Sequence, residues 1–166
     1  MIFVTVGNWY LGFDRLVEAV DRLKESGVIS DLVVAQIGAG RYKPRNLSFL
    51  DFCSPEEFTT MMGNARLIIS HAGIGTIAQA ISQSKPVIVV PRKASLREHF
   101  DDHQLISSRQ LEAEGKILVA YEVSELPTKL QQAENFIPAR THKGQQIVEA
   151  VDSFIRKLAV QKYGYR

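Results

Sequence analysis

The sequence predicts an α/β fold, a parallel sheet with helices on both faces. Two observations carry this. Strand-like and helix-like stretches alternate along the chain, and the strand-like ones are short, continuous apolar runs such as Val87–Val90 rather than apolar–polar alternations. Continuous runs mark strands buried on both faces, which is the situation in a parallel sheet. The 166 residues, 45% hydrophobic and 23% charged, have the balance of an ordinary globular protein and suffice for one domain with a real core.

In chain order, Ile2–Val6 reads as the first strand, followed by a Gly-Asn loop. Phe13, Leu16, Val17, Val20 and Leu23 recur at helical spacing, and that helix should end near Ser26-Gly27. Leu32–Ile37 is the second strand, closed by a Gly38-Ala39-Gly40 turn, and Leu47–Phe52 the third. Ser54 as N-cap, Pro55 at the first helical position and Glu56-Glu57 in the first turn open a helix that runs to about Gly63-Asn64. Leu67–Ser70 is the fourth strand, and Gly75 opens a helix to about Gln83. Val87–Val90 is the fifth strand, stopped by Pro91; a helix is expected from about His99 to Glu112, ending at Gly115. Ile117–Ala120 is the sixth strand, with helices near Ser124–Glu134 and Thr141–Leu158 after it.

Several function classes are excluded. A net charge of +2 gives no electrostatic footprint for nucleic acid. The one cysteine, Cys53, cannot form an intramolecular disulfide and fits a reducing compartment; a small buried hydrophobe is the expectation for it, not a catalytic thiol. The first residues have neither a basic leader nor a small-residue cleavage site, and no apolar run approaches the roughly 20 residues that span a bilayer. A cytoplasmic location is therefore expected, and the length leaves no room for two full-sized domains.

Ligands of such sheets bind beyond the carboxyl ends of the strands. The richest candidate is Ser70-His71-Ala72-Gly73-Ile74-Gly75-Thr76-Ile77-Ala78-Gln79, between a strand and a helix. Its glycines let a backbone approach a ligand, and the helix start offers free N–H groups and partial positive charge to a phosphate or pyrophosphate. His71 and Thr76 add donors, and Gln79, one turn on, reaches toward a ribose or sugar hydroxyl. The same glycines would also serve tight strand–helix packing. Gly73-x-Gly75-x-x-Ala78 matches a dinucleotide pattern as well, with Arg92 and Lys93 where the acidic ribose ligand is usual, which keeps an NADP reading open. A second candidate runs from Pro91-Arg92-Lys93 through Arg97-Glu98-His99 to Asp101-Asp102-His103-Gln104, a loop able to clasp a polyhydroxylated ligand. His99 and His103 lie one turn apart with Asp102 beside them, but no further ligand set at zinc spacing is visible, and no metal is expected. The third is the first loop, Gly7-Asn8-Trp9-Tyr10-Leu11-Gly12, which either contacts a ligand, presents Trp9 to a partner, or is a plain connection.

Taken together and in order, Val4-Thr5-Val6-Gly7 with Phe13-Asp14-Arg15-Leu16, Ser70-His71-Ala72-Gly73-Ile74-Gly75-Thr76, Pro86-Val87-Ile88-Val89-Val90-Pro91 and Asp102-His103-Gln104 resemble the C-terminal domain of glycosyltransferase family 28. The resemblance covers about residues 1–155. It extends to the soluble donor-binding subunits of bipartite UDP-sugar transferases, acting on dolichol-linked precursors or in bacterial capsule and exopolysaccharide synthesis.

The resemblance implies a Rossmann-like sheet corresponding to the C-terminal half of a GT-B glycosyltransferase. One nucleotide-sugar-binding domain would cover 1–158, with 159–166 a loose tail. Gly7, Asn8, His71, Gly73, Gly75 and Thr76 would hold the donor pyrophosphate. Phe52 and Cys53 would hold the uracil, and Gln79, where many members have a glutamate, the ribose. Asp102, His103 and Gln104 would read the donor sugar. Transfer would be inverting, with no cofactor beyond the UDP-sugar substrate. The general base and the lipid-linked acceptor would belong largely to a membrane-associated partner subunit that recruits the chain to the inner face of the membrane. A nucleotide-sugar-binding regulatory partner without chemistry of its own, and an NADP-binding oxidoreductase domain, are the alternatives.

Overall fold

The computed structural model describes residues 1–139. Six strands, β1 (Ile2–Thr5), β2 (Val33–Gln36), β3 (Ser48–Leu50), β4 (Leu67–His71), β5 (Val87–Val90) and β6 (Leu118–Val119), form one parallel sheet in the order β3-β2-β1-β4-β5-β6. The helices are α1 (Asp14–Glu25), α2 (Pro55–Asn64), α3 (Ile74–Ser82), α4 (His103–Ala113) and α5 (Leu126–Ala133). The expected helix at 141–158 and the tail at 159–166 lie outside the described residues.

Successive side chains along a strand point to opposite faces, and the cores follow that rule. Ile2, Val4, Val33, Ala35, Ile69, Ile88 and Val90 pack with Leu16, Val17 and Val20 of α1 and with Leu126 and Ala133 of α5. Phe3, Ile68, Val87, Val89 and Val119 pack on the other face with Met62 of α2, Ile77 and Ala80 of α3, and Leu111 of α4. The strands therefore read as unbroken apolar runs because each face has its own helical layer. Local signals set the helix ends. The Ser54 side chain accepts from the Glu57 N–H while the Glu57 carboxylate accepts from the Ser54 N–H, a capping box with Pro55 behind it.

One boundary differs from expectation. The helix after β5 begins at His103 and not near His99. Residues Ala94–Leu96 form a 3-10 turn, Arg97 takes a left-handed conformation with φ of 57°, and the Asp101 carboxylate accepts from the His103 N–H. A side chain that takes the backbone N–H two positions on competes with helix over residues 99–102.

No helix among the described residues is long and apolar enough to cross a membrane.

Candidate functional site

β1 and β4 are neighbours in the sheet, and the chain leaves them toward opposite faces, through α1 and through α3. This is the topological switch point, where the carboxyl ends of the strands open a crevice. Its floor is a set of polar side chains pinned to backbone. Thr5 donates its hydroxyl to Gln36 Oε1 at 2.6 Å and accepts from the Gly7 N–H at 3.2 Å. Gln36 Nε2 donates to the carbonyls of Gly7 at 3.1 Å and Asp51 at 3.2 Å, and to Asn8 Oδ1 at 3.4 Å. One buried amide at the end of β2 thus fixes the loops after β1 and after β3. Neither Thr5 nor Gln36 is a sequence candidate. The signal was present, since a glutamine within the apolar run Val33-Val34-Ala35-Gln36-Ile37 must find partners to be buried.

His71 ends β4, and its ring lies between two glycines. A Cβ built on Gly7, whose φ is 74°, would come within 2.7 Å of His71 Cε1, and one built on Gly73 would overlap His71 Nε2. Gly7 and Gly73 therefore make room for the histidine. Gly75 differs: a Cβ there meets nothing within 4 Å, and the residue is exposed. Of the three glycines, only Gly75 has open space where a side chain would be.

Burial, and next the positive charge of Arg92, push the His71 pKa down to about 4. The ring is neutral at pH 7 and can donate from one nitrogen only. In an unfolded chain it would protonate near pH 6.5, while the folded form resists until about pH 4. Stability is therefore full above about pH 6.5 and is lost as the pH falls toward 4, by up to about 3 kcal/mol. The check is denaturant unfolding at pH 7 and pH 4.5, where His71→Gln should lose less stability than the unaltered chain. Equal losses in the two proteins would refute a buried neutral His71.

Helix α3 starts directly after this histidine. Gly73 is its N-cap, without a side-chain cap, and its first turn has no acidic residue. The N–H groups of the first turn, with Thr76 beside them, have no intrahelical acceptor, and the dipole adds partial positive charge. An anionic ligand fits here.

In the loop after β5 the two basic side chains are taken up by protein partners. Arg92 is 1% exposed. Its guanidinium donates to the carbonyls of Val6, Leu11, Gly12 and Glu98 at 2.9–3.2 Å, and lies 4.6 Å from the centre of the Phe13 ring. Lys93 pairs with Glu122. Neither cation is free for a 2′-phosphate, which removes the basis of the NADP reading. Arg15 adds a two-point pair with Glu98, at 2.8 and 2.9 Å, and the Glu98 carboxylate also accepts from the Lys93 N–H. The loops after β1 and β5 are thus fastened to each other beneath the crevice.

Gln104, in the first turn of α4, is buried, and its Oε1 accepts from Ala72 N at 3.3 Å and Arg92 N at 3.0 Å. The oxygen is spoken for by the ends of β4 and β5, which leaves Nε2 as the donor for a ligand. Asp102 is exposed, and its Oδ1 accepts from Ala94 N at 2.9 Å. His103 is bonded to Asp101, so the aspartate beside the histidines is Asp101 and not Asp102.

Two further candidates lie toward the β3 edge of the sheet. Phe52 is exposed and Cys53 half-buried, both between β3 and α2. Burial, and then the Glu57 carboxylate, push the Cys53 thiol up, away from the reactive thiolate. β3 is three strand spacings from β4, roughly 14 Å. Gln79 Nε2 donates to Thr59 Oγ1 at 3.4 Å and ties α3 to α2. Asn8 and Trp9 are exposed on the loop after β1.

Comparison with known proteins agrees with this fold. The model of the glycosyltransferase family 28 C-terminal domain matches residues 1–158. The chain belongs to that family. It is 30% identical over 125 residues to UDP-N-acetylglucosamine transferase subunit ALG13 of Homo sapiens, covering 70% of this chain and 10% of the relative. It is 31% identical over 116 residues to the subunit of the same name from Eremothecium gossypii, covering 69% of this chain and 54% of the relative. The chain thus spans a tenth of one relative and about half of the other. Among solved structures, the NMR solution structure of ALG13 superposes with a TM-score of 0.60 at 19% identity, over 90% of this chain and 93% of that one. Acinetobacter baumannii MurG superposes with a TM-score of 0.52 at 20% identity, over 90% of this chain and 49% of that one. The family 28 domain here therefore has the fold of the C-terminal half of a GT-B glycosyltransferase.

Proposed function

We propose that this chain is the donor-binding subunit of an inverting UDP-sugar transferase, with UDP-N-acetylglucosamine as the donor. It would act with a membrane-associated subunit that holds a lipid-linked saccharide acceptor. The observation that carries the reading is the uncapped start of α3 at the switch point, with Gly75 open beside it. A pyrophosphate seated there meets N–H groups that strengthen their hold as negative charge develops on the departing UDP. From that point an extended nucleoside can run the roughly 14 Å to the Phe52–Cys53 segment, passing Gln79 at the ribose. On the other side, Gln104 Nε2 donates to a sugar hydroxyl, with Asp102 and His103 at the rim. The general base for the acceptor hydroxyl would come from the partner. The names of the two ALG13 relatives support N-acetylglucosamine as the sugar. The family resemblance supports a capsule or exopolysaccharide setting.

Gln104→Glu separates the structural from the binding role of that side chain. A carboxylate still accepts from Ala72 N and Arg92 N, so the melting temperature should hold within about 2 °C. The donated bond to the sugar is gone, so calorimetry should show UDP-N-acetylglucosamine weakened about tenfold, one hydrogen bond's worth, with UDP unchanged. Unchanged sugar-nucleotide affinity in the variant would remove Gln104 from the site. Binding of NADPH without any binding of UDP by the unaltered chain would overturn the whole reading.

A further inference from the structure

The turn between β5 and α4 brings together three side chains, of which the donor site as proposed uses only His103, at its rim. His99, Asp101 and His103 each present one ligand atom, and the three atoms lie within 4.8 Å of one another. We propose that they form a binding site for a divalent transition-metal ion of the zinc class. A tetrahedral ion with bonds of about 2.0–2.1 Å holds its ligand atoms about 3.3 Å apart. His99 Nδ1 and Asp101 Oδ1 are 3.3 Å apart without any adjustment. The third ligand, His103 Nδ1, is hydrogen-bonded to the same carboxylate oxygen and needs only to open from that contact around an ion. His99 Nδ1 accepts from the Asp101 N–H at 3.4 Å, which identifies it as the lone-pair nitrogen; an ion would take the place of that long contact. The two imidazoles stand edge to face, with centroids 4.5 Å apart and planes at 76°, two donors converging from different directions.

Two imidazoles and a carboxylate are a ligand set that suits zinc and its neighbours, and three protein ligands leave a fourth position open. Asp102 does not compete, because its carboxylate is held by the Ala94 N–H. An ion here would clip the turn that follows the left-handed Arg97 to the first turn of α4, one residue before Gln104. The proposal stands apart from the choice of donor, since it concerns binding of the metal alone.

The structure supplies the reporter. Trp9, the only tryptophan in the chain, stacks on the His99 ring at 5.3 Å with planes 14° apart. Titration of the purified, metal-free full chain with Co²⁺ should quench tryptophan fluorescence to a plateau at one equivalent and raise visible ligand-field bands, both reversed by Zn²⁺. Asp101→Asn and His103→Gln should each weaken Co²⁺ binding at least tenfold, the smallest loss expected even for groups one step removed from an ion. Neither side chain is in a core, the two variants back each other up should one fail to fold, and the cobalt spectrum needs no variant at all. Absence of a saturable change in the unaltered chain, or one-equivalent binding that survives both substitutions, overturns the proposal. In the second case the ion sits elsewhere in the chain.

Discussion

Replacing Arg92 with leucine is expected to destabilise the domain by about 3 kcal/mol and to lower its melting temperature by roughly 6–12 °C. The guanidinium is buried and donates to four backbone carbonyls, of Val6, Leu11, Gly12 and Glu98. Each carbonyl left without a partner in a dry interior costs about 1 kcal/mol or more. Relief from burying the charge, already visible in an Arg92 pKa drawn down to about 10 by desolvation, offsets part of that loss. Lysine should do little better than leucine, because a single ammonium cannot reach four carbonyls arranged around a planar fork. The damage should spread to binding, since the loops after β1 and β5 would no longer be fastened beneath the crevice. Thermal unfolding of Arg92→Leu and Arg92→Lys checks this. A shift below about 2 °C in either would mean that the carbonyls find other partners and that the clamp is incidental.

Gly73→Ala should cost both stability and donor binding, and Gly75→Ala should cost binding alone. At Gly73 the new methyl overlaps the His71 ring, which sits between Gly73 and Gly7. Either the histidine leaves or the start of α3 shifts. An overpacked site of this kind typically costs about 1–3 kcal/mol, and the displaced N–H groups should weaken UDP-N-acetylglucosamine by roughly 100-fold. At Gly75 nothing in the protein resists a methyl, and alanine is the better helix former by about 1 kcal/mol. That variant should melt at or above the temperature of the unaltered chain, yet bind the sugar nucleotide at least tenfold more weakly, because the methyl occupies the space of the approaching phosphate. Melting curves beside calorimetry distinguish the cases. Full binding by Gly75→Ala would move the pyrophosphate away from the start of α3.

Much of this was legible in the residues themselves. The Val87–Val90 strand begins and ends where the apolar run does, and Ser54-Pro55-Glu56-Glu57 opens α2 as its capping chemistry requires. The segment from His71 to Thr76 sits at the switch point, between strand and helix. The misreadings share a cause. The helix expected from His99 begins at His103 because the Asp101 carboxylate takes the His103 N–H, an effect with no periodicity to read. Arg92 looked like a ligand cation because it follows the fifth strand. Its partners at Val6, Leu11 and Gly12 lie about 80 positions earlier in the chain. The aspartate paired with His103 is Asp101, two residues before it, and not the adjacent Asp102.

Sequence alone determined the doubly covered parallel sheet, the family and the location of the helix start that follows β4. Apolar runs, caps and glycine spacing are local properties, and folding preserves them. Only the tertiary structure decided what each polar side chain does. It enclosed His71 between Gly7 and Gly73, turned Arg92 inward, set Gln36 and Gln104 as braces, and gathered His99, Asp101 and His103. A buried polar group goes where its hydrogen bonds can be met, and in this domain the partners that meet them often come from strands far apart in the chain.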